Sequence, residues 1–243
     1  MELLQKKPLK EQLQFPVDIY VKENGYLGIL GFDATQHELF IASKSTIHGP
    51  YAERFGELLL STISNEIDLM NFLHKNQVSM TFEVIDPVFD PHIIEYQLPQ
   101  IILLDVIHRT PSFQKYSYEE VQKVGRQFGL PVKQHLCRFN DWDSFNKWYQ
   151  NVSTDFTLEL EGYVLEDSHG FMTKIKLPYY IFWKRMRNLV SIVLQGEPLP
   201  QEWDSHPIAT SFYIWLKERT HSQLTQTDSI IDLRNQFYYN TRH

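Results

Sequence analysis

The chain has 243 residues, 42% of them hydrophobic and 14% aromatic, with a formal net charge of −7 and a single cysteine. That length and apolar content supply a sizeable core and exclude collagen-like, low-complexity and disulfide-framed classes. The acidic balance excludes bulk electrostatic attraction to nucleic acid, though not a local basic channel.

The start, "MELLQKKPLKEQLQFP", lacks the apolar run of a signal peptide, and no stretch reaches membrane-span length, so a cytoplasmic protein is expected. Residues 17–22, 26–32 and 38–43 read as three short strands joined by "ENG" and "DATQH". Asn24-Gly25 is a strong hairpin signal, which puts Lys22 where the first strand runs into its turn. From residue 51 to 74, Phe55, Leu58, Leu59, Ile63, Ile67, Met70 and Leu73 recur at helical spacing and predict one helix. Strands at 79–85 and 100–107 bracket the proline-marked "DPVFDPHIIEYQLP".

Amphipathic helices follow at 117–128 and 141–151, with a short strand near 132–138 between them. Cys137, in "HLCRF" on that strand, reads as a packed thiol and fits a reducing compartment. Residues 160–167 and 171–177 form a second hairpin around Ser168-His169-Gly170. From Pro178 the pattern is helical, broken by "GEPLPQEWDSHP" at 196–207. The ten histidines show no metal-ligand spacing. The layout is α+β with mainly antiparallel strands. It lacks the regular alternation and Gly-rich first turn of a Rossmann domain, and it has no P-loop.

Charged groups gather near the turns of the two hairpins. The first presents Lys22. The second presents Glu161 on one strand and Lys174 and Lys176 on the other, two residues apart and therefore on one face. Glu83 interrupts an apolar strand, and Lys44 closes the third strand. Each has a plain structural reading as a solvated side chain. In order along the chain, however, "KENG" (22–25), "SKS" (43–45), "FEVI" (82–85), "EGYV" (161–164) and "KIK" (174–176) resemble the covalent nucleotidyltransferase superfamily of polynucleotide ligases and mRNA capping enzymes. Within it the chain looks like RNA ligases of the phage tRNA-repair type and the ligase domain of fungal tRNA ligases, over roughly residues 15–195. Leu27 stands where DNA ligases and capping enzymes typically carry arginine, and the aromatic "EGYV" and Asn24 look like the RNA ligase versions.

The resemblance implies a nucleotidyltransferase (ATP-grasp-like) core in residues 1–195, with 196–243 as a small helical extension. It also implies ATP, with Mg²⁺ or Mn²⁺, as the reagents of an RNA ligase. Lys22 becomes linked to AMP, AMP passes to an RNA 5′-phosphate, and a 3′-hydroxyl then displaces it. Lys174 and Lys176 are implied to stabilise the phosphates, Glu83 to contact the ribose, Glu161 to hold metal and Lys44 to lie near phosphates or the RNA end. Val21 is implied to wall the base, and Asn24-Gly25 to hold Lys22 at the cleft floor. His108 or a neighbouring apolar residue is implied to stack on the base. These types suit the reaction. An amine attacks phosphorus only when neutral, and clustered cations both favour that state and balance charge on the phosphoryl oxygens.

The resemblance also implies a broken RNA as partner, with tRNA the favoured target. Only 21 residues precede Lys22, and no kinase or phosphodiesterase segment is present, so separate enzymes are expected to heal the RNA ends. Two other readings stay open: a nucleotidyltransferase with a different acceptor, and a nucleotide- or RNA-binding module without ligation. Arg54 reads equally as a phosphate contact or a surface helix arginine. Tyr179, Tyr180, Phe182 and Trp183 read as core. The alternative is that some of them, with Lys184, Arg185 and Arg187, flank RNA.

Overall fold

The computed structural model describes residues 8–219 and 229–241. A short helix α1 (Leu9–Gln12) precedes strands β1 (Val17–Lys22), β2 (Tyr26–Asp33) and β3 (Glu38–Ser43). Helices α2 (Pro50–Thr62) and α3 (Glu66–Asn76) lead into β4 (Val78–Ile85) and β5 (Gln100–His108). Then come α4 (Tyr118–Phe128), β6 (His135–Phe139), α5 (Trp142–Val152), β7 (Gly162–Asp167) and β8 (Met172–Lys176). The chain closes on α6 (Pro178–Leu194), α7 (Pro207–Lys217) and α8 (Ile230–Thr241). Among the described residues no helix is long and apolar enough to cross a membrane.

The strands form two four-stranded antiparallel sheets, in the orders β6-β1-β7-β8 and β3-β2-β4-β5. This corrects the first hairpin. β1 and β2 do not pair; Glu23-Asn24-Gly25 carries the chain from one sheet to the other. The cause is visible at Gly25, where a Cβ would run into the carbonyl of Val84, so backbone passes tightly over β4. The second hairpin, β7-β8, is paired as expected.

The single helix expected over 51–74 is two. Ile63 is extended, and Asn65 begins α3 by accepting a hydrogen bond from the Asp68 backbone N–H at 3.2 Å. Hydrophobic spacing runs across the break because both helices bury against the same sheet.

Three apolar clusters hold the molecule. Phe55, Leu59 and Leu73 of α2 and α3 pack on Met80, Phe82 and Leu103 of one sheet. Phe145 of α5 packs on Val17, Ile19, Tyr163 and Leu165 of the other. The third joins α6, α7 and α8 to Ile93 and Ile94 of the loop after β4. Because strand side chains alternate, the residues between these core positions face the opposite way. Asp105 of β5 and Glu166 of β7, one from each sheet, meet there at a shared lysine, Lys115, at 2.9 and 2.7 Å. The two sheets therefore face each other across a cleft.

Candidate active site

Lys22 is the last residue of β1 and lies opposite Gly162 of β7, which lies opposite Lys176 of β8. The next row on the same face is Tyr20, Val164 and Lys174. The two lysines thus flank a residue with no side chain. A Cβ at Gly162 would strike the Ile175 carbonyl, so glycine is required by packing here.

Glu161, only 4% exposed, joins the two lysines. Its Oε2 lies 3.0 Å from Lys22 Nζ and its Oε1 lies 3.0 Å from Lys176 Nζ. Lys22 Nζ also donates to the Glu23 carbonyl at 3.2 Å. Burial would depress the Lys176 ammonium, but the Glu161 carboxylate outweighs it and holds the group above the ordinary lysine value.

Asn24 is buried and fixes this carboxylate. Its Nδ2 donates to Glu161 Oε2 at 2.8 Å, while its Oδ1 accepts from the Ile94 N–H at 3.2 Å. Its backbone N–H donates to the Tyr96 hydroxyl at 2.9 Å, and that hydroxyl donates to Glu23 Oε2 at 2.8 Å. Burial raises the Glu23 carboxyl and the Tyr96 phenol above their ordinary values. Glu83 accepts the Gly25 N–H at 2.8 Å. Its carboxyl is raised chiefly by burial, against the Lys22 charge and that hydrogen bond, which lower it.

Of the residues singled out in the sequence, Lys22, Asn24, Gly25, Glu83, Glu161 and Lys176 meet in this one network. Lys174 is exposed one row away, and Lys44 is exposed beyond the end of β3. Val21 packs with the α5 cluster, on the face away from Lys22, so only its backbone borders the cleft. His108 sits at the far end of β5 with its ring against Tyr116. Arg54 is bound by Asp86 at 2.7 Å and Glu57 at 2.8 Å. Cys137 is half-buried beside α5, where burial raises its thiol. Tyr179, Tyr180, Phe182 and Trp183 are core.

Glu23 and Tyr96 were not visible from sequence. Tyr96 lies in an aperiodic loop, and only its contact with Asn24 marks it. Among the described residues no group of three or more His, Cys, Asp or Glu could form a metal cage. One or two carboxylates beside a phosphate substrate nevertheless meet the oxygen preference of Mg²⁺ or Mn²⁺, which keep several waters.

Several solved ligases share the fold. An Aquifex aeolicus protein assigned as an ATP-dependent DNA ligase aligns with TM-score 0.58 and 18% identity, over 96% of this chain and 61% of its own. An archaeal ATP-dependent RNA ligase aligns with TM-score 0.55 and 15% identity, over 96% of this chain and 58% of its own. A Naegleria gruberi RNA ligase variant solved with ATP and manganese aligns with TM-score 0.57 and 12% identity, over 73% of this chain and 54% of its own. The chain thus spans less than two thirds of these structures. A comparison with curated proteins finds no match. The sequence model of the RNA ligase family matches residues 1–180, which include every strand of both sheets and the whole Lys22–Glu161–Lys176 network. The chain belongs to the RNA ligase family.

Proposed function

We propose that this protein is an ATP-dependent RNA ligase that joins RNA 5′-phosphate and 3′-hydroxyl ends. One observation carries the reading: Lys22 and Lys176 stand in register on either side of Gly162 and share the Glu161 carboxylate. A pair of ammonium groups over a side-chain-free floor is a phosphate cradle, and one of the two ends its strand within reach as a nucleophile.

In the first step the neutral Lys22 amine attacks the α-phosphorus of ATP. A nitrogen–phosphorus bond forms, the bond to the β-phosphate oxygen breaks, and pyrophosphate leaves. In the second step an RNA 5′-phosphate oxygen displaces the amine. In the third a 3′-hydroxyl displaces AMP and seals the strand. In the resting structure Lys22 is held by Glu161, so the amine must lose that partner, and a proton to water, before it attacks. Glu161 is the residue that would hold a divalent ion, which would supply positive charge to balance the phosphates. Lys174, Lys176 and Lys44 would take phosphate oxygens as compact point charges. Glu83 would orient the ribose through its second oxygen, the first being taken by the Gly25 N–H, while Asn24, Gly25 and the Val21 backbone shape the nucleotide's border.

Residues 1–195 are the proposed nucleotidyltransferase unit and 196–243 its helical extension, whose α7 and α8 pack on α6, acting in the cytoplasm on broken RNA such as tRNA after other enzymes have healed its ends. The test is incubation with α-labelled ATP or GTP and a divalent ion, followed by a denaturing gel. Label from ATP that is absent in Lys22→Ala supports the reading, and no label from ATP overturns it. A nicked anticodon stem-loop with 5′-phosphate and 3′-hydroxyl ends tests the acceptor. Labelled protein that fails to seal it assigns the chain to a different acceptor.

A further inference from the structure

Beyond Lys176 the surface turns basic. α6 buries Tyr179, Phe182, Trp183, Met186 and Leu189 against α7 and α8, which leaves Lys184, Arg185 and Arg187 on its exposed side. No Asp or Glu occurs between Asp167 and Glu197, in a chain with 30 acidic and 23 basic residues. Among the described residues none of the three α6 cations makes an ion pair, and two are held only over rings. With Lys176, Tyr180 and Asn188 they line a groove of about 490 Å³. Tyr180 links it to the site: Lys176 Nζ lies 4.6 Å from its ring centroid and Lys184 Nζ 5.6 Å. Its ring is buried, so the groove offers charge and not a stacking platform.

We propose that this groove holds the 5′-phosphate-bearing RNA strand in the second step. The inference rests on the ligase reading above and adds which strand binds where. In that step the phosphate oxygen attacks the phosphorus of Lys22-linked AMP. The new oxygen–phosphorus bond forms as the nitrogen–phosphorus bond breaks, and the electron pair returns to the Lys22 amine, which takes a proton from water. Attacking and leaving atoms stand roughly in line, so the strand must enter from the side away from Lys22. Lys22 and Lys176 bind opposite oxygens of Glu161, and the groove opens from Lys176. Among the described residues the cavity beside Asn24, about 380 Å³, has no Lys or Arg in its lining; Arg54 and Arg234 neutralise its Asp86 and Glu95, which leaves Asp90 and Asp232 and no cation to draw a phosphate. From Tyr180 to Arg187 the helix rises about 10 Å, enough for two or three nucleotides. Contacts of this kind read the backbone and not the bases, so binding is sequence-tolerant and salt-dependent.

The test compares the full chain with its Lys184→Ala/Arg185→Ala/Arg187→Ala variant, after a melting curve shows that both are folded. Labelling by ATP is expected to stay within about threefold. AMP transfer to a 5′-phosphorylated single-stranded RNA oligonucleotide is expected to need about 10- to 100-fold more RNA, with a salt slope shallower by about 2. A nucleoside 3′,5′-bisphosphate, too short to reach α6, should be used equally well by both proteins. A variant that transfers to RNA like the parent, or that loses transfer to the bisphosphate or labelling by ATP in equal measure, overturns the groove. A parent protein that takes no label from ATP overturns the ligase reading instead, and filter binding of the same oligonucleotide to both proteins then decides the groove.

Discussion

At one end of the cleft two ammonium groups, Lys22 and Lys176, share a single carboxylate, Glu161. Five residues further along the chain, about 16 Å away, Glu166 of β7 joins Asp105 of the opposite sheet around Lys115 and Lys133. Here two ammonium groups meet two carboxylates. Burial pushes the Lys133 ammonium down, while Lys115, also buried, is held up by Asp105 and Glu166. The balanced cluster ties sheet to sheet and leaves no charge for a ligand. In the Lys22 cluster the lysines and Glu161 lie along a single sheet, Asn24 ties Glu161 to the loop after β4, and Glu83 of the other sheet feels the Lys22 charge. Identical side-chain types therefore clamp sheet to sheet at one end and, in the function proposed above, would cradle phosphate at the other.

Removing the shared carboxylate should have the largest effect. Glu161→Gln removes the one carboxylate that both lysines share and is expected to slow labelling by ATP about 10²- to 10³-fold, read by quenched-flow under single turnover. If that variant labels at the parental rate, the cradle is not organised by Glu161.

The clamp should answer in stability and not in chemistry. Glu166→Gln leaves two buried lysines, Lys115 and Lys133, sharing the one carboxylate of Asp105 and is expected to cost about 3 kcal/mol in urea unfolding. Labelling at a temperature where both proteins are folded should change less than about threefold. A loss of activity as deep as that of Glu161→Gln would erase the distinction between the two clusters.

Glu83 sharpens the comparison through pH. Burial raises its carboxyl, so the folded protein binds that proton more tightly than the unfolded chain does. Its contribution to stability is therefore complete below the ordinary glutamate value of 4.5 and is lost as pH rises through the raised folded value. Glu83→Gln should melt higher than the parent at neutral pH, and the difference should close on acidification. A gap that widens toward acid would contradict the burial argument. The smallest effect is expected at exposed Lys44. Lys44→Ala should leave urea stability within about 0.5 kcal/mol while raising the substrate concentration needed for sealing severalfold.

Much of this was legible in residues alone. Alternation and turn residues marked the strands, and four of the five short motifs contribute to the Lys22–Glu161–Lys176 network, while Lys44 of the fifth lies apart. The Asn24-Gly25 segment shows where that reading stops. A strand, Asn-Gly and a second strand look the same whether the strands pair or part to different sheets, because pairing depends on partners far away in sequence. Here β1 pairs with β6 and β7, and β2 with β3 and β4. Val21 was assigned to the base from its position beside Lys22, yet neighbours on a strand point to opposite faces, and its side chain lies with α5. Glu23 and Tyr96 had no periodicity to reveal them.

By itself the sequence determined which groups are available: one lysine at a strand end, a Glu-Gly pair, two lysines on a common face and a basic run free of acids. These follow from residue type and from the two-residue repeat of a strand, both local properties. Only the tertiary structure decided that Gly162 stands between Lys22 and Lys176, that one carboxylate holds both, and that the α6 cations continue outward from them. Those relations are set by which apolar faces bury against one another across the whole chain, and no local pattern carries that information.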